Sequence, residues 1–243
     1  MSKKWKKIGL IILSVIVLVL IGSGIYIKTA TYAPTTQAQN VAKQQADIKG
    51  ALKFPGDKQK PAILFYQGAF VEEESYSLWA QQLADAGYTV YLLREPLNLA
   101  VLSPNKAQQI IKDEQLTNYV IGGHSLGGVM ASRFAAEKND DHDLKGIFFL
   151  ASYPDEKGSL RSFNGSVLSI TATNDGVLNW SAYKKAKSYL PEQTVYEKIT
   201  GGNHAGFGSY GNQKGDKKAD IDNEEQQNEV AQALLKWLEH INN

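Results

Sequence analysis

The chain has 243 residues, no cysteine and a formal net charge of +1. The missing thiols exclude disulfides, thiolate metal sites, a cysteine nucleophile and a lipid-modified N-terminal cysteine. Five of the 26 basic residues (Lys3, Lys4, Lys6, Lys7, Lys28) and no acid fall within residues 1–28, so 21 basic face 25 acidic residues in the remainder, a mildly acidic body that argues against nucleic acid as the partner.

Residues 8–27 form an uncharged run rich in Ile, Leu and Val. As a helix, 20 such residues span about 30 Å, one hydrocarbon core. The four lysines before it predict a cytoplasmic N-terminus and a body outside, a single-pass signal-anchor at residues 1–28 through which the membrane is a partner. The alternative is secretion after signal cleavage, but the run exceeds the usual ~7–15 residues of a signal peptide. The cleavage candidates are also poor: Ala30 has Lys28 at −3, and Ala33 is followed by Pro34. Residues 29–60 read as a stalk, with a short strand around 48–54.

From residue 61 to the C-terminus the pattern alternates strand and helix. The continuous apolar run 62–66 predicts a buried parallel strand. A helix over 75–86 follows, stopped by Gly87, then a strand over 88–93 and a helix over 105–114. Strands follow at 119–121, 146–150, 167–171 and 194–199, with helices at 129–137, 180–188 and 224–241. This predicts an α/β fold with a doubly wound, mostly parallel sheet and helices on both faces. The interval 151–166 has room for a turn and none for a large cap domain, which predicts an open, shallow site.

The chemistry centres on Gly122-Gly123-His124-Ser125-Leu126-Gly127-Gly128. Strand, Gly-x-Ser-x-Gly, helix is the context of a nucleophile elbow, where the neighbours of the serine must be small. A phosphate-cradling turn would need a lysine or a Gly-x-Gly-x-x-Gly spacing, and neither is present. A serine needs a base, and four histidines are available. His124 adjoins the serine, but its backbone position turns it away, to pack or hydrogen-bond locally. His142 lies in an acidic loop, 139–143, which reads as solvated surface more readily than as a metal site. His240 is on the terminal helix. His204 sits in a Gly-rich loop directly after the last strand, where a base belongs. Asp175, in the turn after strand 167–171, is the carboxylate expected to orient it. The order Ser125, Asp175, His204 is that of an α/β-hydrolase triad. The oxyanion donors are expected to be the backbone N–H groups of Leu126 and Ala69, with Phe70 as the alternative to Ala69. Phe70, Tyr153 and Phe207 are candidate rim residues for the substrate. No metal or cofactor is called for.

Four separated motifs carry a resemblance: residues 65–71 (Phe-Tyr-Gln-Gly-Ala-Phe-Val), 94–100 (Arg-Glu-Pro-Leu-Asn-Leu-Ala), the elbow, and 201–211 (Gly-Gly-Asn-His-Ala-Gly-Phe-Gly-Ser-Tyr-Gly). Together they resemble small bacterial α/β-hydrolases related to the dienelactone hydrolase group. The resemblance covers about residue 61 to the C-terminus. It implies an esterase-like hydrolase without a cofactor and no particular substrate. Gln67 departs from it, standing where proline is expected. Asp216, also within the family pattern, reads as holding the His204 loop in shape. The function expected is hydrolysis of an acyl ester through an acyl-enzyme. The rivals are an acyltransferase or peptidase using the same triad, and a catalytically silent binding domain. The oligomeric state is not legible.

Overall fold

The computed structural model describes residues 29–241. The apolar run at 8–27 lies outside the described residues, among which no helix is long and apolar enough to cross a membrane. The body from Tyr32 onward forms one compact unit.

Its centre is an eight-stranded sheet: β1 (Ala46–Ile48), β2 (Ala51–Phe54), β3 (Ala62–Tyr66), β4 (Val90–Leu93), β5 (Tyr119–His124), β6 (Leu144–Leu150), β7 (Ser166–Ala172) and β8 (Val195–Ile199). The spatial order is β1-β2-β4-β3-β5-β6-β7-β8. Strands β3 to β8 pair in parallel, and β1 and β2 add an antiparallel hairpin beside β4. The helices are α1 (Thr36–Ala42), α2 (Ser77–Asp85), α3 (Lys106–Asp113), α4 (Leu126–Glu137), α5 (Trp180–Ala186) and α6 (Asn223–Ile241).

The central strands are apolar throughout because both faces are covered. Ile63, Phe65, Val120, Phe148 and Ile170 point into one core with Trp79 and Leu83 of α2 and Val230, Leu234 and Trp237 of α6. Leu64, Tyr66, Ile121, Ile147 and Phe149 point into the other with Ile110 of α3 and Met130 and Phe134 of α4. Each such buried side chain stabilises the fold by about 1.5–3 kcal/mol. Helix α6 starts where Asp222 Oδ1 accepts from Glu225 N–H at 2.8 Å, with Glu224 and Glu225 in the first turn against the positive helix end. Between β6 and β7 stands a single short 3₁₀ turn, Glu156–Gly158, and no cap.

The stalk assigned to 29–60 needs correction. Helix α1 and the β1–β2 hairpin, of which β2 answers to the short strand expected there, lie within it, and the compact unit begins at Tyr32, well before residue 61. Helix α1 and β1 are seven and three residues long, too short for periodicity to mark. Pairing of β2 with β4 satisfies the hairpin's backbone, and burial of Ala51, Leu52 and Phe54 anchors it.

Candidate active site

Ser125 sits between β5 and α4 at φ 52° and ψ −121°, a conformation that costs a non-glycine residue about 1–3 kcal/mol. The surroundings impose it. Ser125 N–H donates to the Leu150 carbonyl at 3.0 Å, and Ser152 Oγ donates to the Ser125 carbonyl at 2.6 Å. A Cβ on Gly123 would strike the backbone of Gly127, and one on Gly127 would strike the carbonyls of Tyr66 and Gln67. The turn closes this tightly only with glycine at both places.

Asp175 follows β7 and is buried. Its Oδ1 accepts from the N–H groups of Val177 (2.8 Å) and Leu178 (2.7 Å), and its Oδ2 lies 2.8 Å from His204 Nδ1. A carboxylate already taking two N–H donors faces Nδ1 as an acceptor, so Nδ1 carries the proton and the Nε2 lone pair is left open. His204 is buried too, and its Nε2 has no partner. The structure therefore brings Asp175 and His204 together, while among the described residues no hydrogen bond joins His204 Nε2 to Ser125 Oγ. Such a contact commonly tightens only when substrate arrives.

The His204 loop is held from three directions. Asp216 accepts from Ala205 N–H at 2.8 Å through Oδ2 and from Gly176 N–H at 2.9 Å through Oδ1, so one carboxylate joins the base loop to the acid loop. Gln226 on α6 exchanges hydrogen bonds with Asn203 N–H (3.0 Å) and the Asn203 carbonyl (2.8 Å). Gln227 donates to the Gly206 carbonyl at 2.7 Å. A cleft of about 640 Å³ opens behind this loop, lined by Asn203, Asp216 and Gln226 among others, away from Ser125.

His124 does bond locally, but its ring is not remote from the base. The ring centroids of His124 and His204 are 4.5 Å apart, tilted by 44°. Tyr76 Oη accepts from Gly68 N–H at 2.9 Å and lies 2.9 Å from His124 Nδ1, to which it donates its proton. His124 is thereby a neutral acceptor. Burial first, and then repulsion from the neighbouring His204 ring when both would be protonated, hold it well below its ordinary 6.5. Tyr76 thus ties the loop after β3 to the residue before Ser125. Sequence reasoning missed Tyr76, Gln226 and Gln227. Tyr76 lies inside a helical pattern that explains it as core, and the two glutamines carry no motif.

Phe70, at φ 59°, donates its N–H to the Asn98 carbonyl at 2.8 Å, which removes it as an oxyanion donor. Gly68 N–H is taken by Tyr76. Ala69 N–H, between them, has no partner among the described residues, and Leu126 N–H stands at the unpaired start of α4. Gln67, the departure from the family pattern, donates to Asn98 Oδ1 at 2.9 Å and so braces the same loop. Phe70 and Tyr153 are half-buried, as a rim allows. Phe207 is not a rim residue. It is fully buried, 5.8 Å from the His124 ring, because the 3₁₀ turn Ala205–Phe207 directs it inward. His142 and His240 are exposed, and among the described residues no cluster of His, Asp or Glu is set to hold a metal ion.

The sequence profile described as the alpha/beta hydrolase family matches residues 62–228. The chain belongs to this family. The narrower resemblance to the dienelactone hydrolase group rests on the four motifs alone. No curated protein sequence matches the chain significantly. Among solved structures it is similar to a monoacylglycerol lipase of Paleococcus ferrophilus, at 15% identity over 80% of this chain and 100% of that one with a TM-score of 0.61. It is also similar to a membrane phospholipase A described as a bacterial virulence factor, at 11% identity over 96% and 99% with a TM-score of 0.61. A third is the esterase domain of a Rhodothermus marinus protein, at 12% identity over 78% and 92% with a TM-score of 0.58. At these identities the likeness is one of fold.

Proposed function

We propose that this α/β hydrolase family member is a serine hydrolase that cleaves an acyl ester. The observation carrying the reading is the buried Asp175–His204 pair with its unpartnered Nε2, which follows in triad order a serine in the strained elbow conformation. In the mechanism, His204 Nε2 takes the Ser125 proton as Oγ attacks the acyl carbonyl. Asp175 holds the tautomer and stabilises the imidazolium. The N–H groups of Leu126 and Ala69 receive the oxyanion. The proton passes from His204 to the leaving alkoxide, and water, activated by the same base, cleaves the acyl-enzyme. The lipase and esterase names of the fold neighbours are consistent with this chemistry.

A fluorophosphonate probe tests the mechanism: the wild-type chain is expected to label and Ser125→Ala is not. Labelling that survives the substitution, or an unlabelled wild type, refutes the assignment. We further infer that residues 8–27 anchor the protein in the cell membrane with the hydrolase body on the extracytoplasmic side. Recovery of the full-length chain in the soluble extracellular fraction would remove the anchor.

A further inference from the structure

Among the described residues five large apolar side chains are exposed: Leu97, Val101, Leu102, Val195 and Tyr196. The first three belong to one stretch, 96–105, whose ten residues carry no charge and which also exposes Pro96 and Pro104. Contiguous exposed apolar surface of this kind marks an interaction site more often than scattered residues do. The stretch leans on the loop that offers the oxyanion donor, through Phe70 N–H to the Asn98 carbonyl (2.8 Å) and Gln67 to Asn98 (2.9 Å).

The chain enters the body at the same place. Tyr32 N–H donates to the Phe70 carbonyl at 2.7 Å, and Glu72 N–H donates to the Tyr32 carbonyl at 3.1 Å. The uncharged run ends at Ile27, five residues before Tyr32. Five residues reach at most about 18 Å even when fully extended. With that run in a bilayer, the chain length tethers Tyr32, and so the Phe70 loop it bonds, near the lipid surface. The neighbouring charged groups do not select an anionic surface: Arg94 is engaged by Glu73 and Asp47, Lys106 donates to Gln109, and Glu72 and Glu74 are half-buried.

We propose that the carboxyl ends of the strands, where Ser125 stands, face the bilayer, with Val101 and Leu102 seated in its surface. The ester cleaved there belongs to a membrane amphiphile presented at headgroup depth. This rests on the serine-hydrolase and anchor readings above. It adds an orientation and a substrate class to them.

Because the chain lacks cysteine, Leu102→Cys takes a single nitrobenzoxadiazole label. Asp140→Cys, exposed in the loop before β6 at the opposite end of the strands, is the control. With full chain reconstituted in phosphatidylcholine vesicles, the label at 102 is expected to brighten at least threefold relative to detergent-free buffer and to be quenched by spin-labelled lipid. The label at 140 stays as it was. Equal responses at the two positions, or none at 102, overturn the orientation. In parallel, Val101→Ser/Leu102→Ser is expected to lower the ratio of turnover of a vesicle-borne long-chain umbelliferyl ester to that of the water-soluble acetate at least tenfold. An unchanged ratio overturns the substrate class. A dimer that the double substitution dissociates would show a second copy covering the patch, which also overturns the proposal. If the wild type hydrolyses neither ester, the hydrolase reading fails and the substrate class with it, while the labels still decide the orientation. If it hydrolyses the acetate with a silent label at 102, the hydrolase reading stands and the orientation falls.

Discussion

The two sides of the candidate site are built differently. On the base side nearly every polar group has an assignment: Asp175 takes three partners, Asp216 bridges two loops, and Gln226 and Gln227 hold the turn around His204, leaving His204 Nε2 and Gln227 Oε1 without partners. The donor side is strained and under-satisfied. Phe70, Leu97 and Asn98 all have φ between 55° and 59°, and the Gln67 Oε1 and both carboxyl oxygens of Glu95 are buried without partners. The contrast follows from the work each side does. A base must keep one tautomer and one orientation against thermal motion, so its support is redundant. Backbone donors need only a loop held in place, and Tyr76, Gln67 and Asn98 are the few bonds that hold it.

The sharpest break falls on the base side. Asp175→Asn removes the acceptor that fixes His204 and is expected to lower kcat by about 10⁴-fold with little change in KM, measured on a soluble aryl ester. Activity within tenfold of wild type would show that the pair is structural. On the donor side, Tyr76→Phe keeps the ring and deletes the hydroxyl that receives Gly68 N–H and donates to His124. A misplaced donor and a freed His124 ring are expected to lower kcat about 10- to 100-fold. A pure stability loss with unchanged kcat would refute its positioning role. Asp216→Asn keeps one acceptor where two N–H groups are now satisfied. It is expected to destabilise by about 1–3 kcal/mol in urea unfolding. A loss below a few tenths would show that water replaces the bridge.

The smallest effect concerns Glu95. Burial, then the charge of Glu73, raises its carboxyl well above the ordinary 4.5. The folded state therefore binds a proton that the unfolded chain releases above pH 4.5, and stability falls as pH rises from there toward the folded value. Glu95→Gln removes that proton release. It is expected to raise Tm at pH 8 and to leave it nearly unchanged at pH 4.5. An equal shift at both values would mean that ionisation at Glu95 is not the cause.

Much of the sheet was legible in the chain. The runs 62–66, 146–150 and 167–171 emerged as β3, β6 and β7 because strands buried on both faces must be apolar along their length. Strand β5 runs on through Gly122, Gly123 and His124, which a β-propensity reading stops short of, since parallel pairing with β6 overrides the glycines. The short strand expected around 48–54 emerged as β2, but its partner β1 was illegible, since nothing in Ala-Asp-Ile marks a strand until β2 is alongside.

The same division runs through the site. Ser125, Asp175 and His204 follow strands in order, and their chemistry is scarce enough in this chain that spacing and elimination single them out. The sequence by itself also determined the missing cap, because 15 residues between β6 and β7 leave no room for one. Tertiary structure alone decided which way each turn faces. It placed Phe207 against the His124 ring instead of at the rim, set His124 against His204, spent the Phe70 N–H on Asn98 and left that of Ala69 without a partner among the described residues. Those outcomes depend on contacts between residues far apart in the chain, such as Phe70 with Asn98 and His124 with His204 and Phe207, and no local pattern records which partner a backbone N–H will meet across such a distance.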